Sequence, residues 1–105
     1  MIYDVIVEPS AKEDIRSIVT YIRTAFHYDL FAMELFEALH HAIFLLNRNP
    51  RRYRKYGEGS YAEREVHVMP VRNYNVYYAV DDNAEEVHVL RVIYSGRDQA
   101  SALLK

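Results

Sequence analysis

Five histidines, His27, His40, His41, His67 and His88, are the side chains of this 105-residue sequence best suited to hold a metal or move a proton. Their spacing argues against a metal site. Metal-binding histidine pairs on a helix sit four residues apart, whereas His40 and His41 are adjacent and leave a helix in different directions. His67 and His88 are placed to approach each other across strands, but no third ligand accompanies them. The chain has no cysteine, which excludes disulfides and thiolate metal sites. No serine stands in a G-x-S-x-G context. Gly57-Glu58-Gly59 lacks the G-K-[ST] ending and the preceding strand of a phosphate loop. Neither a metal nor a cofactor is expected.

The other chemistry-bearing feature is the run "RNPRRYRKY", Arg48 to Tyr56, with five positive charges and two tyrosines in nine residues. It stands out against its surroundings. Residues 1–47 hold three basic and seven acidic residues, a net of −4. Residues 48–72 hold seven basic and three acidic, a net of +4, and residues 73–105 return to −2. A chain of net charge −2 is a poor general nucleic-acid binder, because phosphate affinity rests on many Lys and Arg contacts. A local patch of Arg48, Arg51, Arg52, Arg54, Lys55 and Arg64 remains, suited to an acidic protein surface; the bland alternative is a solvated collar around a turn. Tyr74, Tyr77 and Tyr78 read as sheet packing, since tyrosine suits a half-buried pleated surface.

The elements that must position these residues follow from periodicity. Ile2 to Val7 is a β-branched, aromatic run closed by Pro9, and predicts a strand. Ser10 and Glu13 have the spacing of a capping box, and Ile15, Ile18, Val19, Ile22 and Phe26 continue it as an amphipathic helix over residues 11–26. A second helix follows from Leu30 to Asn47. Its apolar positions span far more than the ~100° stripe of a surface helix, so it is either sandwiched between layers or leaves apolar surface for a partner. Asn47 and Pro50 end it. The basic loop fills residues 48–62. Three strands complete the chain: Glu63–Met69, Tyr74–Val80 and Val87–Tyr94. The last is apolar on both faces and should be central. Asp81-Asp82-Asn83-Ala84 joins the last two as a hairpin. Ser95-Gly96-Arg97-Asp98 ends the sheet, and Gln99–Lys105 is a short tail.

The order β-α-α-β-β-β describes one α+β domain over residues 1–105, a small, mainly antiparallel sheet with a helical hairpin on one face. Half the residues are apolar and 27% are charged, an ordinary globular balance. The N-terminus is acidic where a signal peptide would be basic, and no apolar run reaches the ~18 residues of a membrane span. The expectation is a soluble, cytoplasmic protein.

"RNYNVYYAVDDNAEEVHVLRVIYSGRD", Arg72 to Asp98, resembles the C-terminal half of the ParE/RelE superfamily of toxins from bacterial type II toxin–antitoxin and plasmid-stabilisation modules. The phrase Arg91-Val92-Ile93-Tyr94-Ser95-Gly96-Arg97-Asp98 carries the likeness. "YDVIVEPSAKEDIRSIVTYI" is similar to the family's first strand and helix, and Asn49-Pro50 to the end of its second helix. The resemblance implies the fold just derived and a cognate antitoxin that covers the second helix and a sheet edge, assembling toxin and antitoxin into a hetero-oligomer.

It also implies a choice of targets. RelE-like members are ribosome-dependent mRNA endonucleases that use basic residues on the sheet, a late arginine and a tyrosine or histidine in the tail. ParE-like members lack that set and poison DNA gyrase. Here Arg97 stands at the late position, but the tail "QASALLK" has neither tyrosine nor histidine, and Met69-Pro70-Val71 leaves Arg72 offset. Cutting RNA through its 2′-hydroxyl needs a base, a phosphorane stabiliser and a proton donor. Arg72, Arg91 and Arg97 could stabilise charge; a guanidinium is not deprotonated in proteins and is no base. His67 and His88 are the candidate bases, tied to no arginine by sequence. The ParE-like reading is favoured, with the mRNA endonuclease as the alternative and an inactive antitoxin-binding or regulatory module as the third.

Overall fold

The computed structural model of the chain describes residues 1–57 and 64–104. Residues 58–62 of the expected basic loop, with two residues of the Gly57-Glu58-Gly59 motif, lie outside the described residues. So do Glu63, the expected start of the second strand, and Lys105. The elements run β1 (Asp4–Val7), α1 (Pro9–Phe26), α2 (Asp29–Phe44), β2 (Val66–Val71), β3 (Tyr74–Asp81), β4 (Glu86–Tyr94) and α3 (Gln99–Leu103). The sheet order is β1-β4-β3-β2. β1 runs parallel to β4, and the other two pairings are antiparallel. As expected, β4 is central and β3–β4 is a hairpin.

α1 starts earlier than its capping box predicts. The N-cap is Glu8, with no side-chain hydrogen bond, and Pro9 occupies the first turn. Proline loses nothing there, because that N–H has no helical partner and its φ is already helical. Glu13 pairs with Arg16 and Ser17 along the helix surface instead of reaching back to Ser10. His27, in the left-handed region at φ 55°, closes α1. Only His27 and Tyr28 separate the helices, and so short a connection makes them antiparallel neighbours.

Ala32, Leu35, Leu39 and Ile43 of α2 and Ala11 and Ile22 of α1 pack on Met69, Val76, Tyr78, Val87, Val89 and Val92 of the sheet. Each of the larger side chains contributes about 1.5–3 kcal/mol by leaving water. The other half of α2 stays outside: Leu30, Phe31, Met33, Phe36 and Phe44 are exposed, as is Leu45 just past its end. Of the two sequence readings of this helix, the structure has the uncovered apolar face. No helix among the described residues is long and apolar enough to cross a membrane.

The opposite face of the sheet carries a second, smaller core of Val66, Val68, Tyr77, Ala79 and Ile93. The expected tail folds over it as α3, which buries Ala102. Asp98 caps α3 by accepting the Ser101 N–H at 3.4 Å, and its other oxygen accepts the Ser101 hydroxyl at 3.0 Å.

Candidate functional site

The register of β3 and β4 decides where the sheet arginine goes. Tyr77 faces Arg91 and Tyr78 faces Val89, so Leu90 is an extra residue. Before this bulge the odd-numbered residues Val87 and Val89 face the hairpin; after it Val92 does. The bulge thereby keeps Arg91 out of the main core. β1 ends at Val7, so β4 beyond Val89 lacks a strand partner on that side. Asp14, at the start of α1, fills the gap. Its Oδ2 accepts the Val92 N–H at 2.9 Å and Arg91 Nε at 2.7 Å, and its Oδ1 accepts Arg91 Nη2 at 3.1 Å. Arg91 Nη1 donates to the Ala102 carbonyl at 3.1 Å, tying α3 to the same point. Both ionic side chains are largely buried. Arg91 therefore holds α1, β4 and α3 together.

Arg72 and Arg97 lie at one end of the sheet, in the β2–β3 and β4–α3 turns. Both are exposed. The turns are joined by the Ser95 N–H donating to the Asn73 carbonyl at 2.8 Å. The three arginines of the nuclease reading are thus not one cluster. Nor do the two candidate bases converge. His67 lies opposite Tyr78 on the hairpin side of the sheet, and His88 opposite Ala79 on the other side. The sequence expectation that they could approach across strands is corrected by this alternation.

Each of the two is held by acceptors. The buried His67 donates from Nδ1 to the Tyr53 carbonyl at 2.8 Å, and its Nε2 lies 2.8 Å from Glu65. His88 lies between Glu8, 2.6 Å from Nδ1, and Glu86, 2.9 Å from Nε2. Its pKa is raised, first by the Glu8 hydrogen bond, against burial, and further by Glu86. His40 lies on the exposed face of α2, between Phe36 and Phe44. The tyrosines are packing groups, and the hydroxyls of Tyr77 and Tyr78 are hydrogen-bonded. Tyr77 donates to Gln99 at 2.8 Å, Tyr78 donates to the Pro50 carbonyl, and Tyr74 meets Tyr94 edge to face. Burial raises the Tyr78 pKa, so its hydroxyl stays protonated.

The basic run is more ordered than a solvated loop. Pro50–Arg52 forms a turn of 3-10 helix, and Arg54 to Tyr56 lies along the outer edge of β2. The Val68 N–H donates to the Arg54 carbonyl at 3.0 Å, and the Tyr56 N–H to the Val66 carbonyl at 2.8 Å. This backbone pairing covers an edge that would otherwise be open. Arg51 turns inward, bidentate on Glu65 and 3.2 Å from both Asp82 and the Tyr3 hydroxyl. Arg51 holds the Glu65 pKa low, with a smaller contribution from His67. Arg52 donates to the Arg48 and Asn49 carbonyls and lies over the Tyr53 ring. Arg48, Arg54, Lys55 and Arg64 are exposed. The structure thus divides the run into anchors, Arg51 and Arg52, and a solvent-facing remainder.

One feature escaped sequence reasoning. Beyond the end of the sheet the hairpin tip overhangs a groove of about 910 Å³. Tyr21, Phe26 and Phe31 line it from the helices with Tyr28 from their connection, and Tyr74 and Tyr94 from the sheet with Arg97 from the turn after β4. The available signal was aromatic density: "YIRTAFHYDLF", Tyr21 to Phe31, has four aromatics, more than one inward helical face takes.

A family profile described as "ParE toxin of type II toxin-antitoxin system, parDE" matches residues 5–99. The chain belongs to this ParE toxin family. Solved structures with the same fold come from both sides of the wider superfamily. The chromosomal ParDE system of P. aeruginosa aligns with a TM-score of 0.71 at 10% identity, covering 89% of this chain and 96% of that one. The RelBE2 toxin–antitoxin complex of Mycobacterium tuberculosis aligns at 0.65 and 22% identity, covering 90% and 99%. A mutant of E. coli toxin RelE in the free state aligns at 0.62 and 15% identity, covering 97% and 93%. At such identities the likeness is one of fold. No curated protein matches the chain. As a ParE-family toxin, the chain has the architecture expected from its sequence: an α+β fold with the helical hairpin on one face of a four-stranded sheet.

Proposed function

We propose that this ParE-family toxin acts in the cytoplasm as a non-enzymatic poison of DNA gyrase, and that a cognate antitoxin neutralises it. The observation that carries this reading is the Asp14–Arg91 pair. A nuclease of this architecture would use its sheet cations on RNA, yet Arg91 is engaged in holding α1, β4 and α3 together. His67 and His88, the two histidines considered as bases, face opposite sides of the sheet. What the molecule presents is binding surface: exposed aromatics on the hairpin, the groove beneath its tip, and the basic strip of Arg48, Arg54, Lys55 and Arg64.

The antitoxin covers apolar surface of the hairpin. An amphipathic helix laid in the groove would bury Tyr21, Phe26 and Tyr94, which are at least half exposed in the free chain. The basic strip meets an acidic protein surface, on antitoxin or target, because the acidic residues of the hairpin would repel an extended phosphate backbone. The test is direct. Purified toxin added to gyrase and supercoiled plasmid should accumulate linear DNA with trapped gyrase. Antitoxin should prevent this, and translating ribosomes given the same toxin should keep their mRNA intact.

A further inference from the structure

The solvent face of α2 carries an apolar stripe apart from the groove. Met33 is 59% exposed and Phe44 42%. Along the helix the acidic and basic residues are ordered. Asp29, which also lies 3.6 Å from Arg23, opens the helix; Glu37 and His40 flank its middle, and Arg48 follows just past its end. This order reverses on itself. Laid antiparallel to a second copy, about a twofold axis between Ala38 and Leu39, α2 sets Asp29 opposite Arg48, Met33 opposite Phe44 and Glu37 opposite His40. Every such contact then occurs twice, as an isologous interface requires. The acidic start of each helix meets the basic end of the other, and the two helix dipoles oppose. A partner of unrelated sequence gives no reason for the reversal; a second copy does.

We infer that this face joins two copies of the free toxin into an antiparallel, twofold-symmetric dimer. The inference goes beyond the toxin reading and does not depend on which target is poisoned. Two 16-residue helices are only about 24 Å long, and their contact falls short of the ~1,600 Å² of a standard interface. The dimer should therefore be weak, forming in the micromolar range.

Analytical ultracentrifugation of the full-length toxin without antitoxin, from roughly 1 to 100 μM, tests this. The wild type should shift from monomer to dimer. His40→Glu, which sets Glu opposite Glu37 of the other copy, should weaken the dimer by on the order of tenfold or more. Glu37→Lys together with His40→Glu places opposite charges across the axis and should restore it. Both positions are exposed, so circular dichroism should show all variants folded. A disulfide reads the register. The chain has no cysteine of its own, and Met33→Cys with Phe44→Cys should cross-link between copies on oxidation. Three turns apart on one helix, the two cannot bridge within a chain. Three results would overturn the inference: a wild type that stays monomeric, a dimer indifferent to His40→Glu, or a double charge reversal that fails to restore dimers. If the toxin is monomeric and His40→Glu instead weakens antitoxin binding, the face belongs to the antitoxin.

Discussion

The carboxylate of Asp14 lies 2.7 Å from Arg91 Nε and holds it from the first turns of α1. The same carboxylate accepts the Val92 N–H, supplying the bond that β1 stops too soon to make. Replacing Asp14 by Ala takes the carboxylate away from a largely buried guanidinium and leaves the Val92 N–H without that acceptor. Urea denaturation should show a loss of about 3 kcal/mol. Adding Arg91→Met should recover part of it, since the buried charge goes too. An Asp14→Ala variant as stable as the wild type would show that the pair is incidental.

Charge in the basic run divides the same way. Arg51→Gln breaks contacts to Glu65, Asp82 and Tyr3 and should lower stability measurably, by about 1 kcal/mol or less because the side chain is 40% exposed. Arg54→Gln with Lys55→Gln should leave the melting temperature within error. The double variant should nevertheless reduce toxicity or antitoxin affinity, with a smaller loss at high salt, where such contacts are already screened. Unchanged toxicity and antitoxin binding would reduce Arg54 and Lys55 to edge cover.

His88 gives the fold a pH dependence of known sign. Its pKa is raised above the usual 6.5 by Glu8, with Glu86 adding to it. Its contribution is therefore complete below the unfolded value and lost as pH rises through the folded one, provided the carboxylates remain charged. Thermal melts of wild type and His88→Gln should differ most near pH 6 and converge toward pH 9. The difference should be small, because His88 is only partly buried and solvent screens part of the interaction. A gap independent of pH would contradict the assignment.

The groove makes a separable prediction. Tyr94 is 50% exposed, so Tyr94→Ala should cost little stability. It should still weaken antitoxin binding by about tenfold, the usual effect of removing one aromatic anchor. Isothermal titration with the antitoxin reads this directly. Full affinity in the Tyr94→Ala toxin would place the antitoxin elsewhere.

The sequence made the order of elements readable because local pattern controls it: an apolar run on both faces in Val87–Tyr94, helical spacing from Ile15 to Ile22, and turn chemistry at Asp81-Asp82-Asn83-Ala84. What stayed hidden depends on distant partners. Pro70 argues against a strand at Met69-Pro70-Val71, yet β2 runs through it, because an edge strand tolerates a missing donor. The edge role of Arg54 to Tyr56 depends on its pairing with β2. The role of Arg91 depends on Asp14, 77 residues away, and on a one-residue bulge that shifts which side of the sheet each β4 side chain takes. Ser10 and Glu13 carry the letters of a capping box, but Pro9 starts the helix first.

Induction of the toxin alone in growing bacteria tests the central claim most directly, with DNA-damage signalling and mRNA integrity scored in the same cells. Gyrase poisoning predicts strong damage signalling and chromosome breaks, with transcripts of full length. Transcripts cut within their coding regions, in cells whose DNA is undamaged, would contradict it.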